Sequence, residues 1–293
     1  MGDSASPLML RRRLRTELLA ARSNKEMTQD QVAKAMEWSL SKMNRIEKAK
    51  STISINDLKA LLSLYDITDE ERIAELLALA RAVGKAGTAR RSSWWKSYSD
   101  VAPPELLELI DLESAASAIS QFETMFVAGI LQTEEYASSV LQVFYDEKSV
   151  PERVAALVDL RTRRRDLLTA KNAPKFSFLL DESVIHRQVG GSATTSQQLQ
   201  HLISRAELPN VTIRIVPFTA GIHPGMKGPF ELIQFADTPD ENIVFREITS
   251  DDSISDDPAE AQNYLDAFTR ITAVSLSPSD SVDRLRKAAS EMA

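Results

Sequence analysis

Cysteine is absent from the 293 residues, which excludes disulfides and thiolate metal sites. Histidine is nearly so: His186, His201 and His223 lie far apart, without the spacing of a metal-ligand motif. No run of 18 apolar residues occurs, so no membrane span is expected. The opening stretch MGDSASPLMLRRRLRTELLAARS lacks the apolar region of a secretory signal, and Met1–Pro7 reads as a flexible arm. Neither GxGxxG nor GxxxxGK[ST] is present, and GxSxG and HExxH are missing too. Asp181 and Glu182, followed by His186, fit the capping of a helix after a strand better than catalysis. No cofactor and no enzymatic activity are expected from these absences. The apolar content of 43% is ordinary for a globular, cytoplasmic protein, and the length suits two domains.

What the chain does have is charge, unevenly placed. Residues 1–93 hold 17 Lys and Arg against 12 Asp and Glu, a surplus of +5. Residues 94–293 hold 18 against 30, a balance of −12, which recovers the net −7. A basic head on an acidic body is the asymmetry expected if only the head meets phosphates. The acidic body also discourages non-specific binding along a polyanion.

The head carries the sharpest local pattern. Residues 28–50, TQDQVAKAMEWSLSKMNRIEKAK, read as two short helices joined by a tight turn. Thr28 and Gln31 form a capping box for the first, with Met27 and Val32 as a hydrophobic staple. Ala33 is small where two helices cross, and Ser39 caps a second helix running to about Ala49. On that helix Leu40, Met43 and Ile46 recur on one side, while Ser41, Arg45 and Lys48 fall on the other, edged by Lys42 and Asn44. Such a helix can bury its apolar stripe and lay the opposite one in a major groove. Arg and Asn match guanine and adenine edges, Ser suits several bases, and lysines such as Lys42 and Lys48 suit phosphate. The blander alternative is a small helical domain with a solvated basic face.

Around this pair, helix one is expected over Leu8–Arg22, a fourth helix opens at Ser54 and Asp57, and Thr68 with Glu71 caps a fifth. Arg11, Arg12, Arg13 and Arg15 on helix one face a choice between phosphate contact and internal salt bridges. The segment GKAGTARRSS marks a linker, giving domains over 1–83 and 95–293 with 84–94 between them. Trp94 and Trp95 then read as a hydrophobic plug on the second domain, or as a ligand-stacking pair.

The second domain mixes helical patterns (104–120, 133–145, 151–171, 194–206, 258–276) with strand-like runs (175–180, 211–216, 229–235, 242–248). A mixed sheet with helices packed on it is expected, hence α+β rather than a doubly wound nucleotide fold. Gly190-Gly191 reads as a turn ending the VIHRQ segment. Arg161, Arg163, Arg164 and Arg165 form either a salt-bridged, solvated face or an anionic docking site for an effector or partner. His223, in the loop TAGIHPGMKG, either gates a pocket or is simply exposed.

Residues 8–65, through TQDQVAKAM, LSKMNRIEKAK and STISINDLKALLSLYDI, resemble the five-helix lambda-repressor/Cro-like (XRE) helix-turn-helix family. The resemblance implies that Leu40, Ser41 and Arg45 meet bases and Gln29 a phosphate, and that Arg22 and Glu47 form an internal salt bridge. Glu37 stands where that family has glycine in a left-handed turn, and Leu40 replaces a frequent proline. Residues 95–285, through FETMFVAGILQTEEYA, RTRRRDLL, FSFLLDESVIHRQVGG, LPNVTIRIVPFTAGIHPGMKGPFELIQF and SPSDS, resemble the domain that follows this motif in WhiJ-like actinobacterial regulators. That resemblance implies an antitoxin-like transcription factor with a very small partner protein encoded beside it.

Two readings follow. In the first, the chain is a sequence-specific regulator that binds double-stranded DNA as a homodimer. Its helix 39–49 enters the groove, with Asn44 among the base contacts and Arg11 among the phosphate contacts. Its body binds a small partner protein or a small-molecule effector, with Trp94, Trp95, Arg161, Arg164, Arg165 and His223 as candidate contacts. In the second, the body is a ligand-sensing or enzymatic domain that the head merely addresses to DNA.

Overall fold

The computed structural model describes residues 7–48, 51–89, 93–145, 151–236, 241–247 and 253–292. The expected arm at residues 1–6, the last turn of the reading helix at Ala49 and linker residues 90–92 lie outside these. The chain divides into two compact units, Met1–Lys96 and Ser97–Ala293.

The first unit holds α1 (Pro7–Asn24), α2 (Gln29–Ala35), α3 (Leu40–Glu47), α4 (Ile55–Leu64) and α5 (Glu70–Ala89). Their apolar stripes meet in one core, where Leu18, Val32, Met43, Leu58, Leu61 and Leu62 are buried. Each cap follows from side-chain chemistry. The Gln31 N–H donates to Thr28 Oγ1 at 3.3 Å while Gln31 Oε1 accepts from the Thr28 N–H at 2.8 Å. Ser39 Oγ accepts from the Lys42 N–H at 3.1 Å, and Ser54 Oγ from the Asp57 N–H at 3.0 Å.

Three helices end in one motif. At the close of α2 the Trp38 N–H reaches the Ala33 carbonyl and the Glu37 N–H the Lys34 carbonyl, with Glu37 at φ 55°. The same pair of bonds closes α1 around Glu26 (φ 54°) and α4 around Asp66 (φ 56°). These left-handed positions favour glycine, so a charged side chain at each costs on the order of 1 kcal/mol.

Two expectations are corrected at α5. Asp69 Oδ1, rather than Thr68, accepts from the Glu71 N–H at 3.0 Å. The helix then runs on through Gly84 and Gly87, so much of the segment expected as a linker is helical. Two glycines cost roughly 1 kcal/mol each, but extending a formed helix through Ala and Lys needs no new nucleus.

The second unit contains α6 (Pro104–Glu113), β1 (Ala118–Glu123), α7 (Glu134–Phe144), α8 (Pro151–Arg164), β2 (Lys175–Asp181), α9 (Glu182–His186), α10 (Ser192–Arg205) and β3 (Val211–Val216). It continues with β4 (Phe230–Gln234), β5 (Ile243–Arg246), β6 (Ser253–Ser255), α11 (Pro258–Val274) and α12 (Pro278–Met292). Among the described residues the sheet has six strands in the order β3-β2-β1-β4-β5-β6. β1, β2 and β3 are parallel, and β4, β5 and β6 join antiparallel, so the sheet is mixed as expected. Gly190 (φ 70°) and Gly191 (φ 90°) make the turn after α9, and Gly191 becomes the N-cap of α10.

The central strand β1 lies where a helix was expected to reach residue 120. It is buried on both faces and so lacks the alternation that betrays a half-exposed strand. On one face Phe122, Leu179, Val216 and Phe230 pack under Phe268 and Ile271 of α11. α12, also unforeseen, guards the edge of β3: the Ile215 N–H donates to Ser281 Oγ at 2.9 Å, and the Leu276 N–H to the Ile215 carbonyl at 2.8 Å.

At the carboxyl end of β3 the loop 217–229 folds back over the sheet. Gly225 is buried against Phe122 so closely that a Cβ there would lie 2.2 Å from the ring. Gly225→Ala is expected to destabilise the second unit by about 1–3 kcal/mol through overpacking. Gly84→Ala, where nothing lies within 4 Å, should be neutral or mildly stabilising. Thermal denaturation of the two variants checks the contrast, and equal melting shifts would refute the packing argument.

Candidate nucleic-acid interface

Ala33 of α2 is buried in the core, and α3 turns Met43 and Ile46 into it. The opposite side of α3 is open, with Ser41, Arg45 and Lys48 exposed and Asn44 half-buried. Leu40, expected in the apolar stripe with Met43 and Ile46, is instead 50% exposed because it opens the helix at the edge of the core. Among the described residues, no intramolecular partner engages the side chains of Ser41, Asn44, Arg45 or Lys48. A stripe of free forks, an amide and a hydroxyl is the equipment for reading base edges.

Beneath α3 lies the carboxylate of Glu47, 3% exposed. Arg22 grips it from α1, Nε to Oε1 at 2.6 Å and Nη2 to Oε2 at 3.2 Å, and also donates to the Met27 carbonyl at 2.7 Å. Gln29 donates from α2 to Glu47 Oε2 at 2.6 Å. Arg15 donates to the Glu47 backbone carbonyl. One acid thus ties three helices together, with its desolvation offset by several donors.

Two residues expected on phosphate are occupied inside the head. Lys42 pairs with Asp57 at 2.9 Å and lies 4.0 Å from the centroid of the Trp38 ring. Its long stem lets the ammonium reach both the first turn of α4 and an indole face. The amide of Gln29 faces the Glu47 carboxylate. On α1, Arg15 is committed to Glu47, Arg11 is half-buried and Arg13 exposed. Among the described residues the free cations on the α3 face are Arg45 and Lys48.

The arginine cluster of the second unit is partly dispersed by its helix. Arg164 is buried and forms a two-pronged pair with Glu113, Nε to Oε2 at 2.6 Å, with Glu231 3.7 Å away. Arg161 donates to Gln132 at 2.9 Å, Arg163 to the Tyr98 hydroxyl at 3.0 Å, and Arg165 lies 3.7 Å from Glu134. The twist of the helix sends Arg163 and Arg165 elsewhere, but Arg161 and Arg164, three residues apart, both lie near Glu123 and Glu247. Arg164 in particular is consumed by structure.

Burial, reinforced by Glu113, raises the Glu231 carboxyl well above its ordinary range. Burial also pushes Glu123 up to about 8, with Glu247 adding to it. Sequence reasoning missed both. The signal available was an acid embedded in the apolar strand FELIQF, which is tolerable only with a buried partner.

His223 is buried rather than exposed, its ring 5.8 Å from Phe122 and its Nε2 4.0 Å from Asp181. His201 is brought down to about 4 by burial, with Arg205 and Arg165 adding to it. Among the described residues no three His, Asp or Glu side chains cluster as metal ligands. Trp94 and Trp95 meet edge to face at 5.8 Å, Trp95 buried and Trp94 half-buried. Among the described residues no helix is long and apolar enough to cross a membrane.

Comparison with known families agrees with this division. Residues 11–76 match the family described as a helix-turn-helix domain. Residues 106–287, more than half of the chain, match the family described as a domain of unknown function (DUF5753). The chain belongs to the DUF5753 family. No curated protein and no solved structure matches it. A helix-turn-helix of this kind is a DNA-binding module and points to a regulator rather than an enzyme.

Two measurements test the electrostatics. Glu47→Ala would leave Arg22 and Gln29 without their acceptor and should destabilise the head by roughly 3 kcal/mol, read by chemical denaturation; a loss within 0.5 kcal/mol, about that of an ordinary surface substitution, would deny it a central role. The folded chain keeps a proton on Glu123 up to about pH 8, whereas the unfolded chain releases it near 4.5. Folded stability should therefore fall as pH rises through that window. Glu123→Gln should flatten the fall, and an unchanged slope in melting temperature against pH would exclude this carboxyl.

Proposed function

We propose that this protein is a sequence-specific transcriptional regulator of the lambda-repressor/Cro-like (XRE) type, with α3 in the major groove of duplex DNA. The observation that carries the reading is the open stripe of α3. Leu40, Ser41, Asn44 and Arg45 face away from the core, while Met43, Ile46 and Glu47 anchor the helix from behind. Arg45 reads a base edge, Ser41 and Asn44 contribute hydrogen bonds, and Leu40 meets an apolar base surface such as a thymine methyl. Lys48 holds a phosphate, with Arg11 and the N-terminal end of α2 at Gln29 as further backbone contacts.

One short helix reads too few base pairs for genomic selectivity, so the protein acts as a homodimer on a two-fold site. The DUF5753 body supplies the dimer contacts and takes up a small partner protein or effector, in the manner of the antitoxin-like WhiJ group. Its acidic balance of −12 keeps it off the duplex.

Arg45→Ala is expected to lose roughly 1–3 kcal/mol on the specific site and to relax preference at one base pair. Lys48→Ala should weaken specific and random duplexes alike. Fluorescence anisotropy on both kinds of DNA separates the two, and equal losses on both for Arg45→Ala would remove it from the base-reading role.

A further inference from the structure

Five of the seven large exposed apolar side chains described in the second unit gather at one end of the sheet, the other two being Val143 on α7 and Val274, the last residue of α11. Phe218, Ile222 and Met226 stand on the loop after β3, at 61%, 95% and 64% exposure, and Met125 lies two residues beyond the end of β1 at 52%. Phe144, 64% exposed, closes α7 with its ring 5.9 Å from that of Phe126. The connections after β1, β2 and β3 are joined to one another: Ser183 Oγ donates to the Thr124 carbonyl at 2.7 Å, and His223 lies 4.0 Å from Asp181. All five side chains therefore sit at the carboxyl end of the parallel strands.

The loop is built to hold them outward. Its inner residues are pinned, His223 buried and Gly225 pressed on Phe122, so Ile222 and Met226 on either side are presented by a fixed backbone. At the areas usual for such side chains the rim presents on the order of 700 Å². A monomer's largest apolar patch is typically about 300–600 Å², while a stable interface takes about 800 Å² from each partner.

We propose that this rim is the surface through which two copies of the chain associate; the inference rests on the two-fold reading of DNA given above. Charge decides the occupant. An isologous interface sets the same patch against itself, and two bodies of −12 repel wherever their acids face each other. The stretch PFTAGIHPGMKGP, 217–229, carries Lys227 as its single Lys, Arg, Asp or Glu, so two copies meet there with little like-charge repulsion.

Sedimentation velocity of the full chain at micromolar concentration should show a dimer, and Ile222→Asp/Met226→Asp should convert it to a monomer with an unchanged far-UV circular dichroism spectrum. Gln200→Asp, an exposed change on α10, should leave the dimer intact. Because the chain has no cysteine, Ile222→Cys gives a single thiol, which a short bismaleimide should couple to its counterpart. A monomeric wild type, or a double variant that remains dimeric, overturns the proposal, as does a monomer whose rim instead captures a different polypeptide. On DNA the monomeric variant should keep its half-site affinity and lose at least tenfold on the full site. A rim-dependent dimer with no preference for any duplex would refute the DNA reading and leave the interface standing.

Discussion

The buried carboxylate of Glu47 is the constraint on which the head depends. It is the last residue of α3, and Arg22 from α1 and Gln29 from α2 both donate to it. Helices this short do not hold a fixed direction by their own hydrogen bonds. Apolar packing of Met43 and Ile46 against the core brings α3 in but is indifferent to small rotations about its axis. A charge that must find its donors is not indifferent. The acid therefore fixes the rotation at which Ser41, Asn44 and Arg45 face outward, and any recognition of base edges inherits that geometry.

The body solves a related problem differently. Arg164, Glu113 and Glu231 are enclosed between α6, α8 and β4 with two acids to one base. Burial and the neighbouring Glu113 raise the Glu231 carboxyl well above its ordinary range, which favours its neutral form over a second buried charge. A carboxyl in this state carries no buried charge, and the cost of burial returns when alkali removes the proton. The sheet that carries them is covered on its other face by α11, and its β3 edge is closed by Ser281 and Leu276. The carboxyl end of the parallel strands is the part of the sheet that displays apolar groups outward.

Much of this was legible in the residues because it depends on local chemistry. Thr28 with Gln31, Ser39 and Ser54 are caps whose partners lie within three residues, and the structure uses all of them. The strands at KFSFLL, VTIRIV, PFELIQF and NIVFREI announced themselves by β-branched and aromatic content. What escaped depends on distant partners. β1 (AISQFE) is flanked by strands on both sides and carries Ser120 and Gln121 inside, so neither composition nor period betrays it. Lys42, expected on phosphate, also pairs with Asp57, which reaches it only once α4 is in place. Arg161, Arg163, Arg164 and Arg165 formed one cluster along the chain, and the helical twist kept only Arg161 and Arg164 together, near Glu123 and Glu247.

Glu26, Glu37 and Asp66 occupy left-handed turns at the ends of α1, α2 and α4. Strain of about 1 kcal/mol at each lowers the ratio of folded to unfolded heads by roughly a hundredfold in total. Cellular proteases act on the open fraction, whereas a bound duplex withdraws the folded form from that equilibrium. A head engaged on a duplex is therefore open to cleavage less often than a free one.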